Sequence, residues 1–386
     1  MQFLYISNGN IPSRWAHTVQ SMKMCEAFSR LMPGFSLVTA TDLKGLLGSK
    51  RRMFRWYGIE RRFPVRRLVI ARHCDPAMLQ RPNLPVFAEH ARRYVRRVKP
   101  RLVYTRNHQS ALYALRDGFP VIFETHDGPG HPKTLPYIAQ FAGFPNLRGI
   151  VTTSPVLRDA FIAEGIAPPK IAVHPNGVDP ARFARRAMDR DAARRRLGLT
   201  TGRSLIVYTG SLQAYKGIGT LIAVAALLPA LDVQLVGGTI DEIAAWRAER
   251  TIPKNLRFEP FVDNAELPLW LAASDICVVP NSSSDRTAGW TFSLKLYEYL
   301  AAGRPVVVSD IPSLRSVVSH GRDALLVRPD DPVALADAVS RLLTDPALAA
   351  RLTEAGRNTV APHTWERRAA AIIERLAPEL QRRKCQ

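Results

Sequence analysis

Ser204-Leu-Ile-Val-Tyr-Thr-Gly-Ser-Leu-Gln-Ala-Tyr-Lys-Gly217 changes character at its midpoint. Ser204 to Thr209 is an apolar, partly β-branched run of the length of a buried strand, and Gly210 interrupts it. A second glycine, Gly217, precedes an apolar stretch of helical composition, so the segment reads as a strand, a glycine turn and a helix start. Amide groups and the positive end of a helix collect there, a combination that suits a phosphate, and Lys216 adds a full charge. The same pattern also suits a plain glycine turn carrying an exposed lysine.

Outward from this segment, short Val, Ile and Leu runs alternate with longer amphipathic stretches, the pattern of β-α units and parallel sheets. Residues 2–7, 101–105, 121–124, 149–153 and 171–174 read as strands of one sheet. Residues 204–209, 233–237, 256–258, 276–280, 305–309 and 324–327 read as a second. The expected class is therefore α/β, with two doubly wound Rossmann-like domains and ligands beyond the carboxyl ends of the strands. At 386 residues the chain exceeds one ordinary core. The basic, Ala-rich stretch 181–199 marks the boundary, giving domains at 1–180 and 181–362. A helical tail at 363–386 is expected to pack back on the first domain.

Hydrophobic residues make up 46% and charged residues 23%, which excludes a disordered or low-complexity chain. Cys25, Cys74, Cys277 and Cys385 fall singly, without zinc-type spacing. The first residues lack the pattern of a secretion signal, and no run approaches the roughly 20 apolar residues of a membrane span. These features predict a cytoplasmic chain. The net charge is +21, and residues 1–180 hold 26 Lys and Arg against 11 Asp and Glu. Phe54, Trp56 and Tyr57 interleave with Arg51, Arg52 and Arg55, a mixture suited to the anionic inner face of a membrane; a solvated basic surface accounts for the charge equally well.

A second constellation, Trp290-Thr-Phe-Ser-Leu-Lys-Leu-Tyr-Glu-Tyr-Leu-Ala-Ala-Gly-Arg-Pro-Val-Val-Val-Ser309, reads as loop, helix, glycine turn and buried strand. Lys295 and Glu298 are three apart and share a helix face. A surface ion pair has this spacing too. Their place just beyond the strand 276–280 favours a ligand site, where a carboxylate can accept both hydroxyls of a ribose.

Six pieces of the chain, in order, resemble glycosyltransferase family 4 enzymes of the GT-B fold: Glu124-Thr-His126-Asp127, Pro175-Asn-Gly-Val-Asp179, Gly210-Ser-Leu with Lys216-Gly217, Val236-Gly-Gly238, the segment from Lys295 to Pro305, and the closing Trp365-Glu366 helix. The resemblance covers nearly the whole length. It implies two domains facing a central cleft, a nucleotide-diphosphate sugar as donor, and a glycan or lipid-linked hydroxyl as acceptor. The transfer would retain configuration, with no cofactor and no metal.

Carried over residue by residue, the resemblance implies that Lys216 meets the donor diphosphate beside Gly210, Ser211 and Gly237, and that Glu298 holds the ribose. Phe292, Ser293 and Leu294 would lend backbone amides to the phosphates, with Lys295 alongside. Phe261 would lie near the base, and His126 would contact the transferring sugar at the cleft. The plainer alternative for His126 is a loop histidine bonded to Asp127. His126, Lys216 and Lys295 are thus the catalytic candidates. Two positions depart from the family pattern: Ser211 stands where an arginine is usual, and Trp290 stands where the first glutamate of the ribose motif is usual. Ser13-Arg14 replaces a glycine pair beside Gly9, so Arg14 is expected to approach the diphosphate in place of the missing cation. A catalytically silent GT-B subunit is a rival reading, prompted by Trp290. A basic nucleic-acid binder is another, but no helix-turn-helix, zinc finger or stacking-aromatic motif accompanies the charge.

Overall fold

The computed structural model describes residues 3–41, 49–70, 84–132, 134–185, 188–284, 288–290 and 293–380. Among them the chain forms two compact units, Met1–Asn176 with Trp365–Gln386, and Gly177–Thr364.

The first unit is built on a parallel sheet of β1 (Phe3–Asn10), β2 (Phe35–Thr41), β3 (Val65–Val69), β4 (Leu102–Thr105), β5 (Val121–Glu124), β6 (Leu147–Thr152) and β7 (Ile171–Val173). Its order is β3-β2-β1-β4-β5-β6-β7, so the winding reverses between β1 and β4. Two of these strands, β2 and β3, escape the hydropathy pattern. In β2 every residue is buried although Ser36, Thr39 and Thr41 are polar, and the Thr39 hydroxyl donates to the Gly9 carbonyl at 2.7 Å. β3 is an edge strand that turns Arg66 to solvent between buried Val65 and Arg67.

The aromatic and basic stretch after β2 folds differently from its expected interfacial arrangement. In the Lys50–Trp56 helix, Phe54 packs edge-on to Phe63 at 5.1 Å, and the buried Tyr57 that follows accepts a hydrogen bond from the Ser13 amide at 2.7 Å. Lys50, Arg51, Arg52 and Arg55 stay exposed. The aromatics at 54 and 57 therefore belong to the core, and the outer face of this helix is cationic.

The second unit holds β8 (Leu205–Thr209), β9 (Asp232–Val236), β10 (Leu256–Glu259), β11 (Ile276–Val279), β12 (Val306–Ser309) and β13 (Leu325–Val327) in the order β10-β9-β8-β11-β12-β13, all parallel. Alternate residues feed two cores. Leu205 and Val207 join Cys277, Val279, Val306 and Val308 on one face, while Ile206 and Tyr208 join Ile276, Val278 and Val307 on the other. The winding reverses between β8 and β11, so the loops leaving these two strands flank the crevice where such sheets bind ligands. Among the described residues no helix is long and apolar enough to cross a membrane.

Candidate functional site

In the second unit, β8 ends in Gly210, a 3-10 turn Ala214–Lys216 follows, and the Ile218–Leu227 helix begins after Gly217. Three glycines key this edge together. Gly210 donates its amide to the Val236 carbonyl at 2.8 Å, and a Cβ on Gly237 (φ 129°) would lie 2.0 Å from the Gly210 oxygen. A Cβ on Gly217 (φ 76°) would lie 1.8 Å from the carbonyl oxygen of Pro280, the residue after β11. The protein's own backbone explains why Gly217 and Gly237 carry no side chain. Gly210 differs: its missing side chain makes room for Lys295, whose Nζ would be 2.8 Å from a Cβ there.

Lys295 rises from the first turn of the Leu294–Ala301 helix. Its stem is half-buried, but its Nζ is enclosed and has no hydrogen-bond partner among the described residues. The ammonium sits 3.8 Å from the centroid of the Tyr208 ring, and the Tyr208 hydroxyl is fixed by donating to the Ser211 carbonyl at 2.7 Å. Burial, then the nearby Lys216 charge, drives the Lys295 amine well below the usual lysine range, while Glu298 and the ring face oppose the shift. Lys216 lies over the Tyr215 ring at 4.6 Å, and Tyr215 is tied to the loop after β11 by the Ser282 amide at 3.0 Å. The structure thus brings Gly210, Lys216, Lys295 and Glu298 together at the carboxyl edge. An enclosed amine flanked by a second cation is stabilised by an anion, and a diphosphate has the charge to satisfy both.

The other expected residues of this unit fall around that centre. Ser293 is the residue before the Leu294–Ala301 helix, and its side chain does not cap the helix, leaving that to another group. Phe261 is anchored by its amide to the Gly238 carbonyl at 3.1 Å, beyond β10. Ser211 brings a carbonyl rather than a cation. Trp290 is half-buried, with its Nε1 enclosed and without a hydrogen-bond partner among the described residues. Phe292 lies outside the described residues.

In the first unit, the loop after β5 carries His126, and its partner differs from the aspartate that the sequence offers. Nε2 lies 2.6 Å from Oε1 of Glu124, the last residue of β5. Glu124 is fully buried and is met from four directions: by His126, by Gln20 Nε2 at 2.9 Å, by Arg368 Nη2 at 2.8 Å, and by the Tyr104 hydroxyl on Oε2. Burial opposes ionisation, yet Arg368 first and then His126 hold the Glu124 carboxyl well below the usual carboxylate range. Burial and the neighbouring Arg106 lower His126 to about 4. Glu124 and Arg368 are absent from the expected site; the Glu124-Thr-His126 and Trp365-Glu366 signals stand next to both, but nothing local reveals that they pair.

Gly9 and Arg14 follow β1. A Cβ on Gly9 would lie 2.8 Å from Thr18 Cγ2 and 3.3 Å from His17 Nε2, so helix packing accounts for this glycine. Arg14 is half-buried, its guanidinium 5.2 Å from the Trp15 ring centroid.

Residues 203–345 match the family described as Glycosyl transferases group 1, and residues 52–182 match Glycosyltransferase Family 4. A D-inositol 3-phosphate glycosyltransferase of Xylanimonas cellulosilytica is 32% identical over 226 residues, 55% of this chain and 52% of that one. A D-inositol 3-phosphate glycosyltransferase 1 of Catenulispora acidiphila is 30% identical over 284 residues, 66% of each chain. The chain thus spans about half to two thirds of the length of these relatives. Among solved structures, a sucrose-phosphate synthase of Thermosynechococcus elongatus superposes with a TM-score of 0.75 at 22% identity, covering 100% of this chain and 99% of that one. Anabaena HepE in complex with UDP superposes with a TM-score of 0.73 at 18% identity, covering 98% and 100%.

Proposed function

Since the chain belongs to glycosyltransferase family 4 and has the GT-B fold, we propose that it transfers a sugar, with retention and without a metal, from a nucleoside-diphosphate sugar to a hydroxyl of a glycan or lipid-linked acceptor. The observation that carries this reading is the enclosed Nζ of Lys295, without a hydrogen-bond partner among the described residues, at the carboxyl edge of the second sheet, with Lys216 beside it. Negative charge grows on the β-phosphate as the glycosidic bond breaks. Two fixed cations and the amides opening the Leu294–Ala301 helix stabilise that charge more than they stabilise intact donor. Glu298 takes the ribose hydroxyls, and Phe261 lies beside the base. In the first unit His126 accepts a hydrogen bond from a sugar hydroxyl.

Structures named as complexes with UDP or UDP-glucose share this fold, which makes a uridine diphosphate sugar the first donor to try, ahead of the guanosine form. The exposed Lys50, Arg51, Arg52 and Arg55 favour an acceptor presented at an anionic membrane surface, where each cation contributes about 1 kcal/mol. Thermal-shift measurements against UDP, GDP and ADP and their sugars test the reading. A ligand at 100 times its dissociation constant adds about 2.7 kcal/mol of stability. A chain that no nucleotide stabilises, or that binds donor yet neither transfers nor hydrolyses it, defeats the enzyme reading and leaves a silent GT-B subunit, the alternative that Trp290 at the motif's glutamate position favours.

A further inference from the structure

Glu124 has more partners than it needs to be neutralised. Its Oε1 accepts from Gln20, His126 and Arg368, and its Oε2 from Tyr104. Arg368 comes from the Trp365–Leu376 helix, is 3% exposed, and is clamped at its other end by Nε, which donates to the carbonyls of His174 at 3.1 Å and Pro175 at 2.9 Å. The guanidinium therefore faces the carboxylate in one orientation and neutralises it.

This has a consequence for His126. An ionised carboxylate only accepts hydrogen bonds, so the His126 nitrogen facing Glu124, Nε2, carries a proton. Because Arg368 already balances the carboxylate, no second positive charge is called for at the imidazole. We propose that Arg368 is a positioning residue that keeps His126 neutral, with its proton on Nε2 and its Nδ1 lone pair available to accept a substrate hydroxyl. The guanidinium acts through Glu124, which it leaves fully ionised, and Glu124 in turn fixes the tautomer and the plane of the ring. Other charged and titratable groups face the same centre: Arg106 after β4, Tyr104 on β4, Tyr5 on β1, His17 at the start of the Ala16–Leu31 helix, Asp127 in the His126 loop, and His174 after β7. Arg106 acts in the same direction as Arg368, disfavouring an imidazolium, and is itself held by Gln20 Oε1 at 3.0 Å.

Without Arg368, the buried carboxylate would draw a proton onto the pair. His126 would become an imidazolium, and Nδ1 would change from acceptor to donor. Arg368 thus sets the direction of the hydrogen bond that His126 makes to substrate, a role that rests on the proposed reading of His126 as a sugar-facing group.

The test is ring ¹⁵N NMR of the full chain labelled at histidine, with the His126 signals assigned from the His126→Gln spectrum. In the wild type, His126 is expected to be neutral with Nε2 protonated between pH 6 and 8; an imidazolium or the opposite tautomer at pH 7 overturns the proposal without any variant. In Arg368→Met the His126 titration is expected to rise by about 1 to 3 pH units, the range for one nearby opposite charge, and Arg368→Lys is expected to restore it. A folded Arg368→Met protein with an unmoved His126 titration overturns the proposal. If Arg368→Met does not fold, Arg368→Lys still decides, since a neutral, Nε2-protonated His126 supports the charge role and an imidazolium at pH 7 overturns it. The acid limb of kcat/KM should follow the His126 titration in each variant. A moved titration with an unmoved rate profile upholds the role of Arg368 and overturns only the sugar-facing reading of His126.

Discussion

Arg368 and Glu124, 244 positions apart in the chain, meet at 2.8 Å with their side chains 3% and 0% exposed. Removing one member of such a pair strands the other charge in the interior. Arg368→Met is expected to cost about 3–5 kcal/mol of stability. The double variant Arg368→Met with Glu124→Leu should recover much of that loss. Chemical denaturation of the single and double variants measures both.

His126 contributes a pH dependence of definite sign. Its folded-state value is lowered to about 4 from 6.5, so between these values the unfolded chain binds more protons than the folded one. Stability therefore rises with pH through that window and is lost as pH falls through it, by up to about 1.4 kcal/mol per pH unit for this one group. Glu124, held below the ordinary carboxylate range, adds a loss of the same sign at still lower pH. Urea midpoints from pH 7.5 to 4.5 should show the slope, and His126→Gln should reduce it, while His17 and His174, lowered likewise to about 4, keep the remainder.

Lys295 predicts a conflict between stability and function. Its enclosed amine opposes folding until an anion arrives. Lys295→Met keeps the stem and removes the charge, so the unliganded protein should melt at or above the wild-type temperature while the thermal shift on adding nucleoside diphosphate largely disappears. A lower melting temperature with nucleotide binding intact would place Lys295 in the fold rather than the site.

Glu298→Gln should leave the fold intact and weaken donor binding by about 1.5–3 kcal/mol, the cost of losing a charged acceptor for hydroxyls. Isothermal titration with the donor that the thermal screen selects measures it, and an unchanged affinity would remove Glu298 from the site.

The exposed cations of the Lys50–Trp56 helix predict reversible, salt-sensitive binding to anionic vesicles, because screening over about 8–10 Å at physiological ionic strength weakens attraction between exposed charges. Co-sedimentation at low and high salt measures it. With Phe54 and Tyr57 in the core, the attraction should come from charge with little insertion, so neutral vesicles should not bind.

Both sheets and the glycine-keyed edge were legible in the sequence because they rest on local patterns: apolar runs of strand length, glycines where φ must be positive, and a lysine and glutamate three apart on one helix. β2 and β3 were hidden because Thr39 is satisfied by a backbone oxygen from β1 and Arg66 points outward from an edge, so neither strand reads as apolar. The charge network around Glu124 was hidden for another reason. A buried pair has no local spacing to announce it when its members are hundreds of residues apart. For the same reason Asp127, the immediate neighbour of His126, stood in for the true partner two residues before it.

The discontinuity of the first unit also has a consequence for its birth on the ribosome. β5 is made 244 residues before Arg368, an interval of about 12 to 50 seconds at 5–20 residues per second. Once β7 is made, and for the rest of that interval, the unit has its strands but lacks the guanidinium that makes a buried, ionised Glu124 tolerable. Nascent chains must therefore carry this carboxylate protonated or wet, and the Trp365–Leu376 helix converts a provisional core into the final one. Nascent chains arrested before residue 368 should accordingly be more protease-sensitive in residues 121–126 than the released protein.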